Sequence, residues 1–260
     1  MTGPIVAACQ TVVDDGDVDA NLDRLADRVA ALPTAVKVAV FPEYSLSEFV
    51  PDRIGTCALA RDDAIGRVHE IARRADCALV VGFVERADDA FYNATAYVRP
   101  EDAGRIVVYR KRHLWSGERA VLSPGDDRVV VETPAGPTGL LTCYDLNFVE
   151  ESAALARRDV RALFVPGAWP TAHVENWRLL LRARALDGVR WVVGAGRTGR
   201  GSTTYAGNSA VVSPDGRVLT SLGREEADCL ATLDPSVFAH HRGIVFPNGA
   251  SIDGKRETKF

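Results

Sequence analysis

The chain lacks the cysteine pairing that marks a disulfide framework or a zinc site. Its 260 residues include five cysteines, an odd number, and no Cys-x-x-Cys pair. Scattered single cysteines argue against both kinds of site. Cys9, Cys77 and Cys229 lie in apolar, strand-like runs, where a buried free thiol is a common packing residue. Cys143 differs from them, because a polar turn follows its apolar run at once.

Long apolar runs and an excess of basic charge are also missing. No apolar stretch approaches the roughly 18 residues of a transmembrane helix, and no basic region precedes the first apolar run, as it would in a signal peptide. We therefore expect a cytoplasmic protein with no membrane partner. A net charge of −4 argues against a nucleic-acid partner. No cluster of metal ligands is evident, so neither a metal nor a cofactor is expected.

Strand-like and helix-like segments alternate along the chain, which predicts an α/β fold with a mixed sheet covered by helices. Apolar residues at helical spacing predict helices over 17–32, 62–75, 149–157 and 174–186. Short apolar runs between turn signals predict the strands. These cover 5–9, 36–41, 78–84, 94–98, 105–109, 129–132, 138–142, 162–165, 191–194, 209–212, 218–221 and 227–233.

No internal repeat or linker is visible, so residues 1–260 are interpreted as one domain. Glu101-Asp-Ala-Gly104 is predicted to form a turn between two strands. The polar tail, about 240–260, is expected to be mobile or to be ordered at a subunit interface. His240 and His241 are interpreted as surface residues on a strand, where adjacent side chains point in opposite directions.

Three functional side chains follow strand-like runs at their ends. These runs are Val38-Ala-Val-Phe-Pro-Glu43, Ile106-Val-Val-Tyr-Arg-Lys111 and Gly139-Leu-Leu-Thr-Cys143. A nucleophile on the turn after a buried strand is a recurring arrangement in hydrolases. Singly, each residue has an ordinary interpretation: core packing for the thiol, and solvated surface charge for the other two. Together, an acid, a base and a thiol could attack a carbon–nitrogen bond.

These segments resemble the motifs of the nitrilase superfamily, the carbon–nitrogen hydrolases that use a Glu-Lys-Cys triad. Phe41-Pro42-Glu43, Tyr109-Arg-Lys111-Arg-His113-Leu114 and Cys143-Tyr-Asp-Leu-Asn-Phe148 resemble the segments that carry the triad, in the family's order. Glu118, ahead of Ser123-Pro124-Gly125, resembles a further glutamate of the family. The resemblance implies a four-layer α-β-β-α sandwich, with two mixed sheets packed face to face and helices outside.

The resemblance also implies a thioester mechanism. Cys143 would attack the amide carbon with Glu43 as its general base, and Glu43 would then protonate the departing amine. Lys111 and the backbone N–H of Tyr144 would stabilise the oxyanion. Glu118 would hold Lys111 or the substrate and could share in proton transfer. The expected substrate is a small linear amide, cleaved to a carboxylate and ammonia or an amine.

Tyr144, Asn147 and Trp169 are the candidate pocket residues. Tyr144 and Asn147 lie beside the nucleophile in sequence, and Trp169 lies in a segment that resembles a pocket segment of the family. The ordinary alternative for Trp169 is a core aromatic. Many relatives carry arginine at the position of Asn147, and in several branches an arginine hereabouts binds a substrate carboxylate. Asparagine cannot make that charged, two-pronged contact, so a dicarboxylate monoamide or an N-carbamoyl amino acid is not assigned as substrate.

Other functions stay open at this point: nitrile hydrolysis, N-carbamoyl hydrolysis, acyl transfer to an amine, or a binding module that has lost activity. The presence of all four candidate residues, Glu43, Lys111, Glu118 and Cys143, favours an enzyme. The resemblance implies a homodimer or a higher homo-oligomer that pairs through the helix over 174–186. The alternative for that segment is an amphipathic helix packed on its own core.

Overall fold

The computed structural model describes residues 3–101 and 107–247 of the chain. Two β-sheets lie face to face, and helices cover the outer face of each sheet. This arrangement confirms the predicted α/β class and the four-layer α-β-β-α sandwich.

The first sheet has seven strands. They are β1 (Ile5–Gln10), β2 (Val36–Val40), β3 (Leu59–Ala60), β4 (Ala78–Ala87), β5 (Ala90–Val98), β6 (Val107–Arg110) and β13 (Ala227–Thr232). Their order is β13-β1-β2-β4-β5-β6, with β3 beside β4. Strands β1, β2 and β4 are parallel. Two successive antiparallel pairings, β4 with β5 and β5 with β6, return β6 to the direction of β4.

The second sheet has six strands. They are β7 (Val130–Thr133), β8 (Gly136–Leu140), β9 (Ala162–Gly167), β10 (Trp191–Gly196), β11 (Ala210–Val212) and β12 (Val218–Ser221). Their order is β12-β11-β10-β9-β8-β7. The central strands β8, β9 and β10 are parallel, and the outer pairings are antiparallel.

Six α-helices accompany the two sheets in the described part of the chain. They are α1 (Val18–Ala31), α2 (Ile54–Cys57), α3 (Arg61–Ala75), α4 (Val149–Ala156), α5 (Val174–Gly188) and α6 (Pro235–Val245). The helices α1 and α3 pack on the first sheet, and α4 and α5 pack on the second. Asp17 caps α1, since its side chain accepts a hydrogen bond from the Ala20 N–H at 3.0 Å.

Successive side chains of a strand point to opposite faces of the sheet, so one sheet contributes side chains to two apolar layers. In β1, Val6 and Ala8 face the other sheet, whereas Ala7 and Cys9 face the helices. Side chains of this kind from both sheets form the central layer, which includes Val38, Leu140 and Phe164. Strands buried on both faces must be apolar throughout, which accounts for the continuous runs that predicted them.

The strand directions bring the candidate residues to one place. Strands β2 and β6 run the same way, so the residues that follow them meet at one edge of the first sheet. Glu43 follows β2, and Lys111 follows β6. Cys143 follows β8, a central strand of the facing sheet. The site is therefore assembled from both sheets.

The main departure from the sequence predictions is helix α6. Residues 240–245, which were assigned to the start of the tail, belong to this helix, and Phe238 packs into the central layer. His240 and His241 therefore lie on a helix and not on a strand, because Asp234 caps the segment by accepting from the Ser236 N–H at 2.8 Å. Residues 248–260 of the tail and residues 102–104 of the predicted turn lie outside the described residues.

Candidate active site

Glu43 lies three residues beyond the end of β2, in a turn that requires a glycine on the adjacent strand. The next residue, Tyr44, has a φ of 58°, in the left-handed region that lets the chain turn sharply. A Cβ atom at Gly82 of β4 would lie 2.5 Å from the Tyr44 backbone nitrogen and 3.0 Å from Glu43 Cα. Any side chain at position 82 would therefore displace the turn that carries the carboxylate.

Lys111 follows β6 directly and is fixed by backbone hydrogen bonds on both sides. Its N–H donates to the Asn93 carbonyl at 2.8 Å, and its carbonyl accepts from the Gly125 N–H at 2.9 Å. The side chain is 1% exposed. A lysine buried to this degree needs acidic partners, because an unpaired ammonium has lost its hydration.

Cys143 is the first residue of a short 3₁₀ helix, Cys143–Asn147, that follows β8. Its φ of 50° lies in the left-handed region, which is uncommon for a residue with a side chain. Backbone strain of this kind is found where a side chain must be presented for chemistry. The Cys143 side chain is held at the wall of a cavity, with the residue 8% exposed.

Asp145 holds the turn that carries Cys143. Its carboxylate accepts hydrogen bonds from the Thr142 N–H at 2.9 Å, the His113 N–H at 3.0 Å and the Tyr109 hydroxyl at 2.7 Å. Burial raises the pKa of Asp145 to about 6, although the Tyr109 hydroxyl and Lys111 favour the carboxylate. The aspartate links the segment after Lys111 to the cysteine turn.

The ammonium of Lys111 lies between two carboxylates. Its Nζ is 2.7 Å from Glu43 Oε1, 2.9 Å from Glu118 Oε2 and 3.1 Å from Glu118 Oε1. The side-chain amide of Asn93 donates to both Glu43 Oε1 and Glu118 Oε1, each at 2.8 Å. The cluster therefore has one positive and two negative charges when all three groups are ionised.

Glu118 accepts more hydrogen bonds than Glu43 in this cluster. Besides Lys111 and Asn93, the Tyr44 hydroxyl and the Trp115 N–H donate to it, the latter at 2.6 Å. Burial alone would raise the pKa of Glu118, but Lys111 and the Tyr44 hydroxyl outweigh it and hold the pKa below its ordinary value. Glu118 is thus a fixed anion that orients Lys111.

The Cys143 thiol and the Glu43 carboxylate lie on the wall of the same cavity. Burial and the Glu43 charge raise the pKa of the thiol well above its ordinary value, against the opposing effect of Lys111. The pKa of Lys111 is also raised, because Glu118 and Glu43 outweigh the burial that disfavours its charge. These directions favour a neutral thiol at Cys143 and a charged ammonium at Lys111, whose Nζ lies 2.7 Å from Glu43 Oε1.

A cavity of about 240 Å³ opens in front of the thiol. Glu43, Lys111, Glu118 and Cys143 lie on its wall together. Of the three predicted pocket residues, Tyr144 and Trp169 line it. Other aromatic rings complete the wall, and they belong to Tyr44, Phe49, Trp115, His173 and Tyr205.

Asn147 does not reach this cavity. It is exposed, and its Nδ2 donates to the Tyr144 carbonyl at 3.2 Å. The expectation that it lines the pocket fails because the 3₁₀ helix turns it to the outside. Its side chain is therefore not part of the cavity wall in front of Cys143.

The sequence analysis did not identify Asn93 and Tyr44 as parts of the site. Asn93 is a buried polar residue within the apolar strand β5, and an isolated amide in such a run is a signal that it is needed there. Tyr44 follows Glu43 directly, yet its hydroxyl binds Glu118 and not its neighbour. That contact depends on the fold alone.

In residues 3–101 and 107–247, no group of three or more histidine, cysteine, aspartate or glutamate side chains could hold a metal ion. Within the same residues, no helix is both long and apolar enough to cross a bilayer.

Comparison with known proteins gives a consistent result. A family model described as carbon-nitrogen hydrolase matches residues 5–241. An (R)-stereoselective amidase from Pseudomonas sp is 35% identical over 228 residues, which cover 85% of this chain and 81% of that protein. An omega-amidase from Mus musculus is 29% identical over 250 residues, covering 92% and 85% of the two chains.

Solved structures share the fold over nearly the whole chain. Nit3 from Saccharomyces cerevisiae, a member of the nitrilase superfamily, has a TM-score of 0.86 and 27% identity, with 94% of each chain covered. A cysteine-to-alanine variant of an amidase from Nesterenkonia sp. AN1, in complex with butyramide, has a TM-score of 0.80 and 26% identity, covering 94% and 96%. Another variant of that amidase carries an acetamide moiety on its active-site cysteine.

Proposed function

Because the chain belongs to the carbon–nitrogen hydrolase family, we propose that it hydrolyses a small linear amide to a carboxylate and ammonia or an amine, through a thioester on Cys143. The observation that carries this proposal is the presence of Cys143, Glu43 and Lys111 on the wall of one cavity, with the Lys111 Nζ 2.7 Å from Glu43 Oε1. It supplies a nucleophile, a base and a cation within one site.

The first step forms the thioester. Glu43 takes the thiol proton as the Cys143 sulfur attacks the amide carbon, and the carbonyl oxygen becomes an oxyanion. The Lys111 ammonium and the Tyr144 backbone N–H donate to that oxygen. One such donor contributes about 10²–10³ in kcat where it has been removed from other hydrolases. The protonated Glu43 then gives its proton to the nitrogen, the carbon–nitrogen bond breaks, and ammonia or an amine leaves.

The second step releases the acid. Glu43, again a carboxylate, takes a proton from water while the water oxygen attacks the thioester carbon. The carbon–sulfur bond then breaks, the thiolate recovers a proton from Glu43, and the carboxylic acid departs. Glu43 ends each cycle in its starting state, so the reaction needs no other acid or base.

Glu118 acts in this mechanism by positioning Lys111. It accepts from Lys111, Asn93, Tyr44 and Trp115, which leaves it poorly suited to exchange a proton during the cycle. Without Glu118, Lys111 would be free to pair with Glu43 alone, and the carboxylate would become a weaker base.

The size and relatives of the site support a short amide as substrate. The cavity of about 240 Å³ suits a molecule of few non-hydrogen atoms. Two relatives carry amidase names, and the related Nesterenkonia amidase binds butyramide. Nitriles and N-carbamoyl compounds are assayed in the same test as alternative substrates.

The test is ammonia release from small aliphatic amides, nitriles and N-carbamoyl compounds, with Cys143→Ala as the blank. We expect release from the amides that disappears in the blank, and an acyl adduct of matching mass on Cys143 under single-turnover conditions. Equal release by Cys143→Ala would refute the thioester. If the parent and Cys143→Ala both fold but neither releases ammonia from any amide, the result would favour a binding module.

A cytoplasmic location and a homodimer belong to the same proposal. All five cysteines are free, as is usual in a reducing compartment. Helix α5 and strand β12 expose Leu179, Leu186, Val218 and Leu219 on the surface of the second sheet, and such residues suit a subunit interface. Light scattering at micromolar concentration should give the mass of a dimer or a larger oligomer.

A further inference from the structure

The cavity in front of Cys143 carries net negative charge, and we propose that it selects amides whose acyl group is uncharged and apolar. The inference rests on the proposed amidase function and narrows its substrate class. It predicts that a dicarboxylate monoamide is a poor substrate, even where its size and shape match those of a good one.

The charges on the wall provide the first argument. Glu43 and Glu118 are both within hydrogen-bond distance of Lys111, which is the one lysine or arginine among the described residues that line the cavity. Its ammonium is already shared by two carboxylates, so the three groups sum to one negative charge. A substrate carboxylate bound beside these groups would be repelled by their net negative charge.

Arg197 cannot supply the missing cation. Its guanidinium lies behind Tyr205, 4.1 Å from the ring centroid, and Tyr205 separates it from the cavity space. Arg197 is 1% exposed, and it pairs with Glu48 at 2.6 Å and with Asp15 at 3.3 Å. This arginine is therefore neutralised within the protein and shielded by an aromatic ring.

The remaining wall is mainly aromatic, with neutral polar groups among the rings. Apolar side chains such as Phe49, Trp115 and Trp169 favour an apolar acyl group. The hydroxyls of Ser202 and Thr203 can bind a dipole but cannot neutralise an anion. An apolar cavity of about 150 Å³ can hold benzene, so the roughly 240 Å³ here has room for a branched alkyl group beside the amide.

Three amides of nearly the same shape distinguish the effect of charge on the acyl group from the effect of its polarity. 4-Methylpentanamide ends in an isopropyl group, succinamide ends in a neutral amide, and succinamate ends in a carboxylate. All three amides are assayed at the same pH, pH 8. The measured quantity is kcat/KM for ammonia release, with Cys143→Ala as the blank.

We expect kcat/KM to fall from 4-methylpentanamide to succinamide to succinamate, with about 100-fold between the first and the last. A succinamate value within tenfold of the isopropyl compound would overturn the inference while leaving the amidase function intact. If none of the three is hydrolysed, the proposed function is in doubt. Calorimetric binding of the same amides to Cys143→Ala then tests the charge preference separately, since equal affinities would overturn it.

A charge added to the wall should relax the selection. Thr203→Lys places a cation at the cavity, and Thr203→Met adds a side chain of similar length without charge. The ratio of kcat/KM for succinamate to that for 4-methylpentanamide should rise about tenfold in Thr203→Lys and stay unchanged in Thr203→Met. A similar rise in both variants would show that space and not charge limits succinamate.

Discussion

Two charge clusters with buried carboxylates lie near the end of β6, and they are built in opposite ways. In the cavity cluster, the ammonium of Lys111 is shared by the carboxylates of Glu43 and Glu118. In the outer cluster, the carboxylate of Glu151 is shared by Arg112, by Arg128 at 2.8 Å and by His113 at 3.0 Å. One cluster has an excess of acceptors, and the other has an excess of donors.

The difference matches the role that we propose for each cluster. An excess of acceptors beside a thiol leaves a carboxylate free to take a proton, while the shared cation stays charged. An excess of donors around one anion fixes that anion firmly. Glu151 belongs to α4, and Arg112 follows Lys111 directly in the chain. The outer cluster therefore fastens the helix that follows the cysteine turn to the segment that carries the lysine.

Removal of the central cation should have the largest effect on activity. Lys111→Met removes an oxyanion donor and leaves two carboxylates buried together, so we expect kcat/KM to fall by about 10³-fold or more. The free energy of unfolding should fall by about 3 kcal/mol, as when one partner of a buried pair is lost. Amide hydrolysis and urea denaturation measure the two effects.

Lys37→Met is the matched control for that variant. Lys37 pairs with Asp76 at 3.3 Å on the surface, with 46% and 84% of the two side chains exposed. Its loss should change the free energy of unfolding by less than about 0.5 kcal/mol and leave activity unaltered. Activity of Lys111→Met within tenfold of the parent would remove the lysine from the mechanism.

Loss of one acceptor from the cavity cluster should have the next largest effect. In Glu118→Gln the side chain keeps its size, but Lys111 is left with Glu43 as its charged partner. We expect kcat to fall by about 100-fold with a small change in KM, because Glu43 becomes a weaker base. Glu132→Gln, at an exposed glutamate of β7, should behave as the parent. A rise in KM alone would instead assign Glu118 to substrate binding.

The outer cluster should show the reverse balance between stability and activity. Glu151→Gln leaves two arginines and a histidine around a neutral amide, so the free energy of unfolding should fall by about 3 kcal/mol. Activity should fall only about tenfold, since Glu151 does not line the cavity. Glu150 is adjacent and exposed, so Glu150→Gln is the control. It should have little effect on the free energy of unfolding or on activity. A loss of activity as large as in Glu118→Gln would abolish the distinction between the clusters.

The smallest effect is expected in the acid dependence of stability. Burial would raise the pKa of Glu151, but the hydrogen bonds from His113, Arg128 and Arg112 outweigh it and hold the pKa below its ordinary value. A carboxylate with a lowered pKa stabilises the folded state at every pH above the pKa of an unfolded glutamate, about 4.3. This stabilisation is lost as the pH falls through the lower pKa of the folded state. The difference in free energy of unfolding between the parent and Glu151→Gln should be constant from pH 8 to 5 and should shrink below about pH 4.

Urea denaturation of both proteins at pH 7, 5, 4 and 3 measures this difference in free energy of unfolding. Glu150→Gln should track the parent at each pH. A difference that persists unchanged to pH 3 would mean that Glu151 keeps the structure through its shape and not through its charge.

Much of the fold and the core of the candidate site could be predicted from the sequence because both depend on local patterns. The apolar periods of α1 and α3 and the continuous runs of β2 and β9 follow directly from burial. The parallel strand directions then explain why Glu43 and Lys111 meet. Their chemical roles, and that of Cys143, stay predictions until the variants are assayed.

The features that escaped prediction depend on contacts between distant segments or on a local signal that was passed over. The bond from the Tyr44 hydroxyl to Glu118 joins residues 74 positions apart, and no sequence pattern marks it. Asn147 belongs to the same 3₁₀ helix as Cys143 but lies outside the cavity, because its place in that helix leaves the side chain exposed. Helix α6, in contrast, begins with Asp234 as cap and Pro235 in the first turn, which is a recognisable helix start.

The assembly of the site from two sheets makes catalysis a measure of how the sheets are aligned. Glu43 and Lys111 follow strands of one sheet and Cys143 follows a strand of the other, and the layer between the sheets is held by apolar packing. A small slide of one sheet over the other would separate sulfur from carboxylate while most backbone hydrogen bonds remained. On heating, loss of turnover should therefore precede loss of the circular dichroism signal, and the interval between them reports the stiffness of the central layer.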